Sequence, residues 1–390
     1  MSPSNPATPD HRSEARLPKR DFVLLPLLSL LTIVTCLLAT EGVTRHLFAS
    51  QGRDVCMVND NFIGYRYRAN CTTHLKAAEG PWVTNAYNDC GYRTKESCGP
   101  KPKGTTRIAL LGASISEGLY IPYDQTFAER TAQSLTEALG RPVEVQNLGR
   151  VNASPIGVFH QIDEALALKP NLVMMSVGPY DIEHLDPSLL ADRYKPIRAT
   201  GKPDAVGRSR LGRMADLAKE SATATAAAHF LFQNSATLIR IYMNYGDHAD
   251  YLRKPLTPAW EARLAAFEVL IAEMATKSKA QQVPFVLVEV PSLAQTAIMR
   301  MQTPPPGVDP YQLADRLRKI AARHGVEFID TLDAVRDGPN PNQTYYVVDT
   351  HMNAEGHGLV SRKIVKELLD NQGPALLNDG DSQMPSVNRR

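Results

Sequence analysis

The chain has 390 residues, 43% of them hydrophobic and 22% charged, which excludes wholesale disorder and collagen-like repetition. Its 43 basic and 41 acidic side chains leave a formal charge of +2. No global positive field exists to hold a phosphate backbone, so nucleic acid is not an expected partner.

Residues 1–21 are polar and contain Arg16, Lys19 and Arg20, whereas Phe22 to Thr40 carries no charge. As a helix, that run would be about 28 Å long, close to the thickness of a bilayer core. A secretory signal peptide would have a shorter apolar core and a small-x-small cleavage site. Ala39-Thr40-Glu41 and Leu47-Phe48-Ala49 match that site poorly. A buried core helix would not need basic flanking. Residues 22–40 therefore read as an uncleaved transmembrane helix, with residues 1–21 as a cytoplasmic tail. The expected location is the cell membrane, single-pass. The C-terminal domain would be extracytoplasmic, and periplasmic if the cell is Gram-negative.

Residues 41–104 form a cysteine-containing lead-in. Cys56, Cys71, Cys90 and Cys98 fall close together, and Cys36 lies in the apolar run. Four cysteines allow three connectivities; sequential pairing, Cys56–Cys71 and Cys90–Cys98, closes the shortest loops. Two disulfides with Cys36 free suit an oxidising compartment. A zinc site would need close pairs such as C-x2-C, which are absent. No metal or cofactor is expected.

From residue 105 the chain alternates between strand and helix patterns. Arg107–Leu111, Val143–Leu148, Leu172–Val177, Val283–Val290 and Val326–Ile329 read as strands. Phe127–Leu139, Gln161–Leu168 and Tyr311–Arg323 read as helices. A last helix should be capped by Asn353 and run to about Leu369. This pattern predicts a parallel sheet covered on both faces, with ligands at the carboxyl ends of its strands. The stretch of about 185–256 breaks the rhythm. It is Ala-rich, basic at 208–213, and predicts a helix from about Met214 to Tyr245. It reads as a helical insertion above the sheet, either a lid or a solvated hairpin. The domain is expected over 105–370, with a polar disordered tail over 371–390.

The chemistry gathers at strand ends. Ser114 follows the first strand in Leu110-Leu111-Gly112-Ala113-Ser114-Ile115-Ser116-Glu117-Gly118. A sharp turn there exposes a hydroxyl and aims nearby N–H groups at a developing oxyanion. Before the last helix, Asp349-Thr350-His351 sets a carboxylate where it can orient an imidazole. Read blandly, the first is a small-residue turn and the second a polar capping turn.

Taken together, these segments resemble the SGNH, or GDSL-type, hydrolases over roughly residues 83–370. Gly112-Ala113-Ser114-Ile115-Ser116 is similar to the first family block, with Ser114 as nucleophile. Thr84-Asn85 through Gly91-Tyr92-Arg93, then Gly104-Thr105-Thr106-Arg107, resemble the lead-in of membrane-anchored members. Asn147 to Asn152 resembles the second block, and Gly178-Pro179-Tyr180-Asp181 the third. Asp349-Thr350-His351 with Gly356-His357 resembles the last, in the variant with Asp two residues before His. The resemblance implies a flavodoxin-like three-layer α/β sandwich. It also implies a Ser114–His351–Asp349 triad and an oxyanion hole from the Ser114 and Asn152 N–H groups.

Three departures stand out. Ala113 replaces the family aspartate, Asn152 replaces a glycine, and Tyr180 replaces the asparagine that would donate to the oxyanion. Tyr180 either substitutes as third donor or leaves the site weakened. Ser116 and Asp181 are expected to brace their turns and His357 to pack locally. Glu289, at a strand end, could face the cleft. The resulting expectation is a membrane-anchored serine esterase acting on an ester, for instance an O-acylated envelope carbohydrate. An O-acyltransferase with the same triad and a non-catalytic binding protein are the alternatives.

Overall fold

The computed structural model describes residues 18–48, 52, 55–196, 221–244 and 247–377. The first element is a helix, Asp21–Phe48, with none of its residues buried. Its length and apolar composition suffice to cross a membrane. It continues past Thr40, and its last turns carry the Glu41–Arg45 ion pair at helical spacing.

The lead-in folds into two antiparallel hairpins. β1 (Met57–Asp60) pairs with β2 (Gly64–Tyr67), and β3 (Thr72–Lys76) with β4 (Trp82–Ala86). Alternation along β3 and β4 turns Leu75 and Val83 inward, where they pack on Leu119. Cys56 is bonded to Cys71 and Cys90 to Cys98, with Cα–Cα separations of 5.7 and 6.0 Å; Cys36 is free and exposed.

The central sheet contains β5 (Thr106–Leu111), β6 (Val143–Asn147), β7 (Leu172–Val177), β8 (Phe285–Glu289) and β9 (Glu327–Asp330). All neighbours pair in parallel, in the order β6-β5-β7-β8-β9. The first four of these strands are buried along their whole length. Helices on both faces explain why β7 and β8 read as near-continuous apolar runs, whereas β6 keeps the alternating sequence Val-Glu-Val-Gln-Asn although it too is buried. Numbered within the sheet, the order is 2-1-3-4-5, the flavodoxin-like arrangement. Strand order reverses between β5 and β7, which opens a crevice beyond their carboxyl ends.

Helices Phe127–Leu139 and Ala354–Leu377 pack together on one face. Pro258–Ala280 covers the other with Gln312–Arg323 and the short helices Pro155–His160 and Ile162–Ala167. The helix expected over Gln161–Leu168 is present as Ile162–Ala167, and Pro155–His160 is a further helix that precedes it across the break at Gln161. Asn353 caps the last helix as expected, its side chain accepting the Glu355 and Gly356 N–H groups. That helix reaches Leu377 rather than ending near Leu369, so residues 371–377 are helical. The rest of the expected tail lies outside the described residues.

Within 185–256, helices Ala222–Phe232 and Ser235–Met243 are present. The expected start at Met214 and the basic run at 208–213 lie outside the described residues. Ala222–Phe232 packs along the end of Asp21–Phe48. Glu41 accepts the Ser221 hydroxyl and the Ala222 and Thr223 N–H groups at 2.8–3.1 Å. Phe48 meets the His229 and Phe230 rings at 5.6 and 6.4 Å. This helix is therefore tied to the N-terminal helix.

Candidate active site

At the end of β5 the chain turns at Gly112, whose φ is 150°. A Cβ there would lie 2.1 Å from Ser116 Oγ, so the turn requires glycine. Ser114 then opens the short helix Ser114–Glu117 at the crevice. Ser116 is fully buried, donating to the Leu111 carbonyl and hydrogen-bonding Ser176, which leaves Ser114 as the hydroxyl at the crevice.

His351 Nε2 lies 2.8 Å from Ser114 Oγ, and His351 Nδ1 lies 2.6 Å from Asp349 Oδ1. A carboxylate only accepts, so Nδ1 carries hydrogen toward Asp349 and Nε2 accepts the serine hydroxyl. The Tyr120 ring meets His351 edge-on, with centroids 5.5 Å apart. Burial, with lesser effects from Asp349 and Glu117, pushes the Tyr120 hydroxyl up to about 12. The Asp349–His351 turn is tight. Tyr346 N–H donates to the His351 carbonyl, and Thr350 N–H to the Tyr346 carbonyl. Thr350 holds a φ of 71°, which is strained for a β-branched residue.

The segment after β6 packs against the serine turn. Asn147 Nδ2 donates to the Ser116 carbonyl at 2.7 Å, and a Cβ on Gly149 would meet the Glu117 nitrogen at 2.5 Å. Asn152 adopts a φ of 50°, which asparagine tolerates better than most residues. Neither its N–H nor that of Ser114 donates to a protein group among the described residues.

After β7, Asp181 Oδ2 accepts the Gly178 N–H at 2.7 Å, bracing the turn as expected. Burial raises its carboxyl to about 6, opposed by the Gly178 hydrogen bond and by His184 and His351. Tyr180 is 54% exposed, and its ring lies 4.0 Å from that of His184. Glu289 is fully buried and held well above the usual carboxylate range by desolvation and then by Asp330. Its electrostatic neighbours are Asp330, Arg318, Asp315 and Gln295, none of them in the triad arrangement. His357 is buried, stacks on Phe127 and accepts the Phe127 N–H at 3.0 Å through Nδ1.

Several residues around the site were not anticipated. Glu117 is buried and accepts the Tyr67 and Tyr87 hydroxyls, both at 2.9 Å. Arg93 is buried too and donates to the Glu117, Gly118 and Ile121 carbonyls. Arg93 lies inside a segment that carries the family resemblance and Glu117 directly follows one, which was the available signal. Glu79, whose carboxyl accepts the Val348 and Asp349 N–H groups, has no such signal. Asp89, Cys90 and Cys98 cluster within 4.8 Å, but the two cysteines are bonded to each other and cannot offer thiolates.

The family model for the GDSL-like Lipase/Acylhydrolase family matches residues 110–359, and the chain belongs to that family. Among solved structures, the lipase/acylhydrolase from Enterococcus faecalis is 14% identical. It covers 67% of this chain and 95% of its own, with a TM-score of 0.38. A variant of an acetyl-xylooligosaccharide esterase from Geobacillus Stearmophilus is 13% identical. It covers 69% of this chain and 96% of its own, with a TM-score of 0.40. No curated protein matches the chain.

Proposed function

We propose that the protein is a membrane-anchored, extracytoplasmic serine esterase of the acylhydrolase type, working through Ser114, His351 and Asp349. The observation that carries this reading is the continuous hydrogen-bonded chain from Ser114 Oγ through the imidazole to Asp349. Its position at the strand-order reversal, where α/β sheets bind ligands, supports it further.

In this reading Ser114 Oγ attacks the ester carbonyl carbon while its proton passes to His351 Nε2. Asp349 accepts Nδ1–H and stabilises the imidazolium. The tetrahedral oxyanion is met by the Ser114 and Asn152 N–H groups, with the Tyr180 hydroxyl as third donor. Collapse breaks the bond to the alcohol oxygen, which leaves with the proton held on His351. Water, deprotonated by His351, then attacks the acyl-serine and releases the acid. A sugar hydroxyl in place of water would make the protein an O-acyltransferase.

The membrane segment is residues 22–40, and the lead-in disulfides suit an oxidising extracytoplasmic compartment. The substrate class is an ester, and an O-acylated envelope glycan fits an anchored domain. The test is the detergent-solubilised full-length chain with an aryl acetate and with an O-acetylated glycan, each with and without an added acceptor sugar. Acetate release that Ser114→Ala abolishes supports the esterase. Acetyl transfer without release selects the acyltransferase, and neither product in either assay contradicts both.

A further inference from the structure

The connection between β3 and β4 carries Glu79, whose side chain is only 3% exposed. Both carboxyl oxygens are engaged. Oε2 accepts the Val348 N–H at 2.8 Å and the Asp349 N–H at 3.1 Å. Oε1 accepts Nδ1–H of His229 at 2.6 Å, and Gln233 donates to the other ring nitrogen at 3.3 Å. A buried carboxyl is costly unless each oxygen is partnered, and here each is. The turn it grips is the strained one that holds Thr350 at a φ of 71° between Asp349 and His351. Strain of this kind persists only where the surroundings over-determine it. His229 belongs to the helix Ala222–Phe232, which Glu41 ties to the N-terminal helix. A contiguous set of polar contacts therefore runs from the anchor to the backbone of Asp349.

We propose that Glu79 is a positioning residue. By holding the Val348 and Asp349 N–H groups it fixes the aim of the Asp349 carboxylate at His351, and His229 orients Glu79 for that task. The proposal rests on the Ser-His-Asp reading. Glu79 acts through Asp349, not on the substrate.

The test uses the full-length chain in detergent. It compares wild type, Glu79→Ala, Glu79→Asp, Glu79→Gln and His229→Ala for kcat, KM and the downfield proton resonance of His351 Nδ1–H. Glu79→Ala should lower kcat about 10²-fold with KM unchanged, since small misplacements of a reacting group cost on that scale. Glu79→Asp keeps the charge but falls one methylene short of its partners, and should lower kcat the same way even if the alanine variant fails to fold. Glu79→Gln retains an acceptor oxygen and should recover most of the rate; His229→Ala should fall between. The His351 resonance should weaken in the alanine and aspartate variants and persist in Glu79→Gln. Wild-type kcat in Glu79→Ala, or in Glu79→Asp if the former is unfolded, overturns the proposal while leaving the esterase reading intact. So does a loss carried by KM alone, or a Glu79→Gln as slow as Glu79→Ala. If wild type hydrolyses no ester yet the resonance is lost in Glu79→Asp and kept in Glu79→Gln, the positioning role stands and the esterase reading fails.

Discussion

Ser114 Oγ and His351 Nε2 lie 2.8 Å apart although 237 residues separate them along the chain. The sheet order produces this meeting. β5 lies between β6 and β7 in the sheet, and Ser114 follows it at the point where strand order reverses. The last helix returns to the same face as Phe127–Leu139, which brings the Asp349–His351 turn to that crevice.

Asp349→Asn tests the orienting half of the pair. An asparagine amide can present N–H to Nδ1, favouring the tautomer that leaves Nε2 unable to take the serine proton. The expected loss in kcat is about 10⁴-fold with the fold retained. Steady-state kinetics alongside circular dichroism checks this; a loss under tenfold would remove Asp349 from its assigned role.

Tyr180→Phe tests the third oxyanion donor. The ring is already braced by His184, so phenylalanine should keep its place. With the hydroxyl gone, kcat should fall about 10²–10³-fold. An unchanged rate would leave Tyr180 as a wall of the crevice.

The Cys56–Cys71 bond spans a sequence separation of 15, and its loss should cost about 3 kcal/mol. The consequence reaches the site. Cys56 packs with Tyr67 and Tyr87, whose hydroxyls hold Glu117 in the serine-bearing helix. A Cys56→Ala/Cys71→Ala double variant should lose stability in a denaturant titration and turn over more slowly below its unfolding midpoint. Full activity in a destabilised but folded variant would separate the lead-in from the site.

Much of this was legible in the sequence because its signals are local. Strands such as Leu172–Val177 and Phe285–Glu289 read as near-continuous apolar runs, and Ser114, Asp349 and His351 stand in short motifs. The helix Pro258–Ala280 carries its own start signal in Thr257-Pro258, with Trp260, Leu264, Phe267, Ile271 and Met274 at helical spacing. It is nevertheless missing from the sequence-derived elements, since it follows directly on the Ala-rich insertion. The N-terminal helix outruns its charge-free core because Glu41 and Arg45 pair with each other and Glu41 meets a neighbouring helix. Glu79 was invisible for a different reason. Its partners His229 and Val348 lie 150 and 269 residues away, so no local pattern marks it.

Burial first, and then Arg93, Arg130 and His351, hold the His357 imidazole down at about 3. An unfolded histidine titrates near 6.5. The folded state thus binds this proton less readily. The stability linked to His357 is complete above about pH 6.5 and is lost as pH falls toward 3. Asp181, raised to about 6, works in the opposite direction as pH falls from 6 toward 4. His357→Asn keeps an acceptor for the Phe127 N–H and removes the titration. Its melting temperature should fall less steeply than that of wild type from pH 6.5 downward; parallel curves would refute the assignment.

The most direct measurement of the central claim is covalent labelling by a fluorophosphonate probe, with the modified residue located by mass spectrometry. A serine activated by His351 and Asp349 displaces fluoride from phosphorus, so the full-length protein should carry one adduct, on Ser114. Ser114→Ala and His351→Ala should carry none. An unlabelled wild-type protein, or an adduct on another residue that persists in Ser114→Ala, would contradict the account.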